Sequence, residues 1–399
     1  MRLRFFLIAS FVAALAPGAA WASEPSLKVF GSIGNEAHFR APDDDSPLNP
    51  GNFLDVPQRG NSADVTAFFD LRPEGSRWKV HAKLRATDED RPGHTTRGEL
   101  GELYGQFNIR SWLDLTVGRR IEKWGTGYAW NPTGFVNPPK NPGDPNDRLN
   151  AYRGNDMIRA DLFVHDVNIS AFVLPRLSSS DGAWHGAGKT DYALRVYKLI
   201  GGTDLSLHYK RGSEAGGPLR NSTGISFAHV IGDALEIHGE AASVADARAS
   251  HPEILLGGQY TFGNGLNVVV EMEHDGAGLP SAQWNSFRNG VDDAGRSFRA
   301  GDPGPLLDAN LSYTPLQMGR NYAFLRTAWP VVRDRFDVEE IALVSLRDGS
   351  TFLRSALSWK AWHNVSIYVL ETEFFAGHKS EFDYVQVRRL FDAGVRFYF

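Results

Sequence analysis

The chain has no cysteine in 399 residues. That absence excludes disulfides, thiolate nucleophiles and cysteine-held metals together. It also lacks an apolar run long enough to cross a bilayer as a helix, which takes about 20 residues. The longest run, Phe5 to Leu15, is about half of that. If such a chain enters a membrane it does so as a closed β-barrel, the other structure that satisfies its backbone hydrogen bonds in lipid. No basic domain stands out against a formal net charge of −5, so nucleic acid is not expected as a partner. Twelve histidines and many serines fall in no recognisable nucleophile arrangement, and no enzymatic activity is expected. Strand-like alternation begins by Leu27, which leaves no room for a plug domain, and no periplasmic helical or peptidoglycan-binding tail is visible. A missing plug counts against energy-coupled transport of large chelates.

What is present is a leader and a long series of period-two segments. Arg2 and Arg4 precede the apolar run, and Pro17 leads to Ala20-Trp21-Ala22 before Ser23. This pattern reads as a secretory signal peptide over residues 1–22, followed by one domain over 23–399. Forty-one glycines, 12% aromatic residues and a mean hydropathy of −0.32 describe apolar residues diluted by a polar partner at every second position. From Arg77 to Asp88, Trp78, Val80, Ala82, Leu84 and Ala86 share one face, and Lys79, His81, Lys83, Arg85 and Thr87 the other. The same pattern returns over Thr203 to Lys210 and on both sides of Gly263-Asn264-Gly265.

Short turns alternate with long loops. The turns lie near 73–76, 111–112, 165–166, 201–202, 232–233, 263–265, 332–335 and 363–364. The loops lie near 41–61, 89–98, 125–155, 178–189, 213–220, 246–251, 276–319, 347–350 and 377–387. This predicts an all-β, antiparallel up-and-down transmembrane barrel of about 18 strands, with 16 as the alternative. The strand-like stretch Leu306 to Thr314 would break the parity and is assigned to a loop.

The chain ends in Phe391, Ala393, Val395, Phe397 and Phe399 on one face, with Asp392, Gly394, Arg396 and Tyr398 on the other. This resembles the closing strand of bacterial outer-membrane barrels, whose final residue is typically Phe. The resemblance implies that Val395, Phe397 and Phe399 form an assembly signal read by the barrel-assembly machinery, and that the protein is in the outer membrane of a Gram-negative cell.

The densest motif is Gly118-Arg119-Arg120-Ile121-Glu122-Lys123-Trp124-Gly125-Thr126-Gly127-Tyr128-Ala129-Trp130-Asn131-Pro132. Asn137-Pro138-Pro139, Asn141-Pro142-Gly143 and Asp144-Pro145 follow it. Asn-Pro and Asp-Pro steps hold a chain extended and turning, so this loop is stiff. With Asp348-Gly349-Ser350 and Phe374-Phe375-Ala376-Gly377, the motif is similar to a loose set of porin-like families, among them uncharacterised outer-membrane proteins associated with hydrophobic compounds. The architecture of the mature chain shares the likeness, and its sharper motifs lie in 118–145 and 341–383. No substrate is carried over from it. The loop is a candidate constriction, with Trp124, Tyr128, Trp130, Asn131 and Phe135 as its contacts. The competing reading is an extracellular cap with its aromatics in the interfacial girdle. Strict alternation points Arg119 at lipid unless a bulge near Gly118 turns it inward.

Alternation also gives a set of candidate pore-lining charges: Lys79, Lys83, Arg85, Arg120, Arg159, Arg195 and Lys210, with Glu236, Glu240, Glu271 and Glu273. The acids gather on 234–244 and 265–275, and the bases stand on 77–88 and 203–212. Opposed walls of this kind would set a transverse field across a water-filled pore. Calcium is the cation that the acidic loops would favour, through Asp43-Asp44-Asp45 or through Asp144, Asn146, Asp147 and Asp156. Their spacing matches no calcium-loop motif, and neither a cofactor nor a metal is expected. The expected function is passive diffusion of small solutes. The alternatives are a barrel for uptake or export of hydrophobic compounds, and an outer-membrane assembly or sheath protein.

Overall fold

A computed structural model describes residues 25–90, 95–175, 190–212, 219–245, 249–332 and 335–399. The expected signal segment lies outside these residues, as does the whole of loop 178–189. Turn 332–335 and loops 89–98, 213–220 and 246–251 are described in part. Eighteen strands follow in order: β1 Pro25–Pro42, β2 Arg59–Pro73, β3 Trp78–Asp90, β4 Thr95–Arg110, β5 Leu113–Arg120, β6 Asn155–Val164, β7 Val167–Leu174, β8 Asp191–Ile200 and β9 Thr203–Gly212. They continue as β10 Arg220–Ile231, β11 Leu235–Ala245, β12 Ser250–Thr261, β13 Asn267–Asp275, β14 Asn321–Val331, β15 Phe336–Ser345, β16 Thr351–Trp362, β17 Val365–Phe375 and β18 Val387–Tyr398. Each pairs antiparallel with its sequence neighbours, and β1 pairs with β18 as well as β2, so the sheet closes. The fold is an all-β up-and-down barrel of 18 strands, not 16.

The turn chemistry explains the tight end. Between β8 and β9 only Gly201 and Gly202 intervene, both with positive φ (56° and 79°), the backbone that a two-residue hairpin requires. The two faces of the wall are inverted relative to a soluble protein. On β10 to β14 the outward Ile225, Ile237, Leu256, Val270 and Leu325 are 38–62% exposed. The inward Ser226, Glu240, Leu255, Glu271 and Phe324 are at most 4% exposed. An apolar band faces out and a polar, covered surface faces in, as in a wall that meets lipid.

The seam is stapled from inside. Arg396 of β18 reaches over β1 to Asp64 of β2, at 2.7 and 2.8 Å, and donates to Ser32 Oγ at 2.9 Å. Gly34 of β1 lies beneath this pair, and a Cβ there would fall 2.7 Å from Asp64 and 2.8 Å from Arg396. His38 links Asp392 at 2.7 Å to Ser62 at 2.8 Å. On the outer face Val395, Phe397 and Phe399 are exposed, and Phe399 exchanges backbone hydrogen bonds with Gly31 at 2.9 and 3.1 Å.

Loop 276–319 holds two helices, α1 Ser281–Arg299 and α2 Gly304–Leu311. The strand-like stretch after residue 305 is therefore helical at its start. Pro305 at the opening of α2 fits the helix N-terminus, and Leu306 is fully buried. Trp284, Val291, Ala294 and Leu306 join Leu48 and Tyr384 from two other long loops in a second core at the long-loop end.

Candidate functional site: a loop clamped across the barrel interior

Residues 121–154 connect β5 to β6. Their prolines prevent a regular ladder, and the segment advances by turns in which the N–H groups of Gly134, Asn137, Asp144, Asp147 and Asn150 each bond the carbonyl three residues back at 2.8–3.0 Å. Asn and Asp suit the first position of such turns. The remaining backbone groups need partners elsewhere, because unpaired buried N–H groups are costly.

The acidic wall supplies those partners. Glu240 of β11 accepts the N–H groups of Thr126 at 2.6 Å, Gly127 at 2.7 Å and Thr133 at 2.8 Å, and the Thr133 hydroxyl at 2.6 Å. Glu271 of β13 accepts Tyr128 N–H and, at 2.8 Å, Ala129 N–H, while His238 Nε2 lies 2.8 Å away. Gly125 has φ +81°, and a Cβ there would sit 2.6 Å from Glu240 Oε1, so this position needs glycine for both its backbone and its space.

The opposite wall binds carbonyls. β3 stands nine strands from β12 around the ring of 18. From β3, Lys83 donates to Tyr152 C=O at 2.9 Å and Arg85 to Leu149 C=O at 3.1 Å. Between these walls, Arg354 of β16 donates to Gly143 C=O at 2.6 Å and pairs with Asp144 at 3.0 Å. Arg148 of the loop pairs with Glu36 of β1 at 2.5 Å and lies over the Tyr368 ring. Lys140 donates to the Gly127 and Tyr128 carbonyls. Burial lowers its pKa from the usual lysine value, against the pull of Glu271 and Glu240.

The aromatic residues of the loop are turned onto the wall. Trp124, 2% exposed, meets Phe172 and His208 at 5.1 and 5.2 Å, and Phe135 also contacts His208. Trp130 packs on Tyr322 and Phe324, and Tyr128 lies between Phe324 and Arg326. Burial, opposed by Arg326, pushes the Tyr128 hydroxyl up to about 12. Asn131 bonds back to the Trp124 carbonyl only weakly, at 3.5 Å.

All eleven candidate lining residues lie on inward registers, but most are engaged. Arg159 is held by Glu122 at 2.9 Å and Asp161 at 2.7 Å, and Arg120 lies 3.4 Å from Glu122. Lys210 is 3.6 Å from Asp191, and Glu236 takes Gln259 at 3.0 Å. Lys79, Arg195 and Glu273 face inward on the same registers as Gln106, His208 and Tyr322. Arg119 stays on the outer face, paired at 2.9 Å with Asp156, its register neighbour on β6; no bulge inverts it. Several of the acidic loop residues are engaged: Asp43 by Arg388, Asp144 by Arg354, Asp147 by the N–H groups of Ala151 and Tyr152, and Asp156 by Arg119, whereas Asp44 and Asp45 are exposed. Glu36, His38 and Asp392 approach one another within 4.8 Å, but Arg148 and Ser62 complete that cluster. Sequence reasoning missed Glu36, Arg148 and Lys140. Alternation marks Glu36 as inward, but nothing local names its partner 112 residues away.

Three engineered variants of the Rh. blastica porin superpose on this chain with a TM-score of 0.50, covering 94% of it and 100% of theirs at 12% identity. The fold is that of a porin-like barrel. No family model and no curated protein matches the chain. The likeness of this porin-like barrel to those structures is one of fold, since so few residues are shared.

Proposed function

We propose that this chain is a passive channel of the bacterial outer membrane. In this reading small solutes diffuse through the lumen and loop 121–154 is its constriction. The observation that carries it is the loop itself, held between opposed inner walls of a closed barrel whose outer band is apolar. The lining charges then act on solutes only where the loop leaves them uncovered. The burial of Trp124 and Trp130 against the wall speaks against the reading for hydrophobic compounds, because those rings are not free to meet a solute. The long loops would face the medium and the short turns the periplasm.

Purified full-length protein in planar bilayers should give stepwise ohmic currents. Silence from folded protein overturns the reading. Val395, Phe397 and Phe399 would engage the assembly machinery, and deleting Phe399 should lower the amount of folded barrel in the membrane; an unchanged amount removes that role.

A further inference from the structure

Beneath the loop, on the short-turn side, is a recess of about 300 Å³ whose lining includes Gly125, Thr126, Arg195, Tyr197, Asp204, Ser206 and Ser226. That volume holds on the order of ten waters. Arg195 differs from its neighbour Arg159. Arg159 is saturated by two carboxylates, whereas Arg195 has no carboxylate within 4.0 Å among the described residues. Among the described residues its hydrogen bonds are two long ones to Ser206 Oγ, at 3.3 and 3.4 Å, which leave most of its five donors unused there. Its guanidinium lies over the Tyr197 ring at 5.5 Å, which fixes the direction of the fork. Thr126 Oγ1 is buried with no hydrogen-bond partner among the described residues. Ser206 and Ser226 are 5% and 3% exposed. A half-buried cation with open donors, beside hydroxyls, in a cavity of this size offers the charge and the donors that a small anion needs.

We propose that the recess binds a small oxyanion, a carboxylate or phosphate. Arg195 recognises it through a forked pair of hydrogen bonds, and the hydroxyls of Thr126 and Ser206 supply the neutral contacts, while that of Ser226 is already bonded to His208 Nε2 at 2.9 Å. Asp204 is exposed near the Gly201-Gly202 turn, and it accepts the Tyr197 hydroxyl. It therefore puts a negative charge into the lining of the recess and weakens anion capture. The proposal deepens the channel reading by naming a solute class, but its test does not require conduction.

Full-length folded barrel in detergent at low salt is dialysed to equilibrium against labelled inorganic phosphate and, separately, labelled acetate. The wild type should bind at least one of them saturably at one site per chain, and the preference between them distinguishes a tetrahedral from a planar ligand. R195Q should weaken binding by roughly 10-fold or more, since a charge-assisted forked contact is lost. D204N should tighten it by about 2- to 5-fold at low salt. The absence of saturable binding to the wild type, or equal binding to R195Q, overturns the proposal. If R195Q does not fold, D204N decides, and binding that is unchanged or weaker overturns it. Silent bilayers with intact phosphate binding would remove the channel reading and leave this site standing; conduction without binding would do the reverse.

Discussion

The two walls that hold the inner loop do opposite jobs with unequal strength. On the acidic side Glu240 and Glu271, 4% and 0% exposed, gather five backbone N–H groups of residues 126–133 onto two carboxylates. On the basic side Lys83 and Arg85 each take a single carbonyl. A carboxylate offers about four acceptor sites and can serve several donors at once, whereas each carbonyl here meets one cation. The acidic wall is therefore the anchor and the basic wall is the stay. Inward charges are not simply pore lining, because a loop that gives up its own ladder draws on the wall for partners.

That asymmetry can be broken experimentally. The double variant E240Q/E271Q should have the largest effect. A glutamine keeps one acceptor oxygen but turns an NH₂ toward backbone N–H groups, and hydrogen bonds to charged groups contribute about 1.5–3 kcal/mol each. A loss on the order of 5 kcal/mol is expected. It is read as a lower unfolding temperature and as noisier, larger single-channel currents; unchanged currents and stability would remove the anchor. G125A attacks the same anchor from the loop side. Its Cβ would lie 2.6 Å from Glu240 at a φ of +81°, so it should cost about 1–3 kcal/mol by thermal unfolding. K83M removes one carbonyl contact from a residue that is 3% exposed and should cost about 1–2 kcal/mol. A K83M loss equal to that of the double carboxylate variant would reverse the comparison. The scale is set by K360A, which breaks the exposed Lys360–Asp337 pair at 3.0 Å and should change stability by under about 1 kcal/mol.

How far this arrangement could be read from sequence depends on the range of the interaction. Alternation acts between residues two apart, and turns such as Gly201-Gly202 act within four, so the strands and their inward faces were legible in residues such as Lys83, Glu240 and Glu271. The use of those residues was not. Glu240 meets Thr133 across 107 residues and Glu271 meets Ala129 across 142, and period-two reading says only that a side chain points inward, not what it meets there. The stiffness of the loop was visible in its Asn-Pro steps, but whether it folded in or out was not, because the same aromatics suit either site. In 276–319, Trp284, Phe287, Val291 and Ala294 recur at helical spacing, a signal of period 3.6 that a search for period-two alternation does not register.

The ion pair that crosses Gly34 also bears on the order in which the molecule is made. Arg396 and Asp64 are 332 residues apart, and the strand carrying Arg396 is the last of the eighteen in chain order, so it emerges after the other seventeen during synthesis. Until it arrives, β1 and β17 are open edges with unpaired backbone groups, a hazard for aggregation. Joining ends so distant carries a loop-closure penalty that no local turn offsets, so ring closure belongs to the slow, late part of folding. Once made, the link ties three strands together, and peeling either end strand away must also break a charge pair 5–11% exposed. The same link that makes assembly slow also opposes its reversal, giving the barrel a long lifetime for kinetic reasons beyond its equilibrium stability.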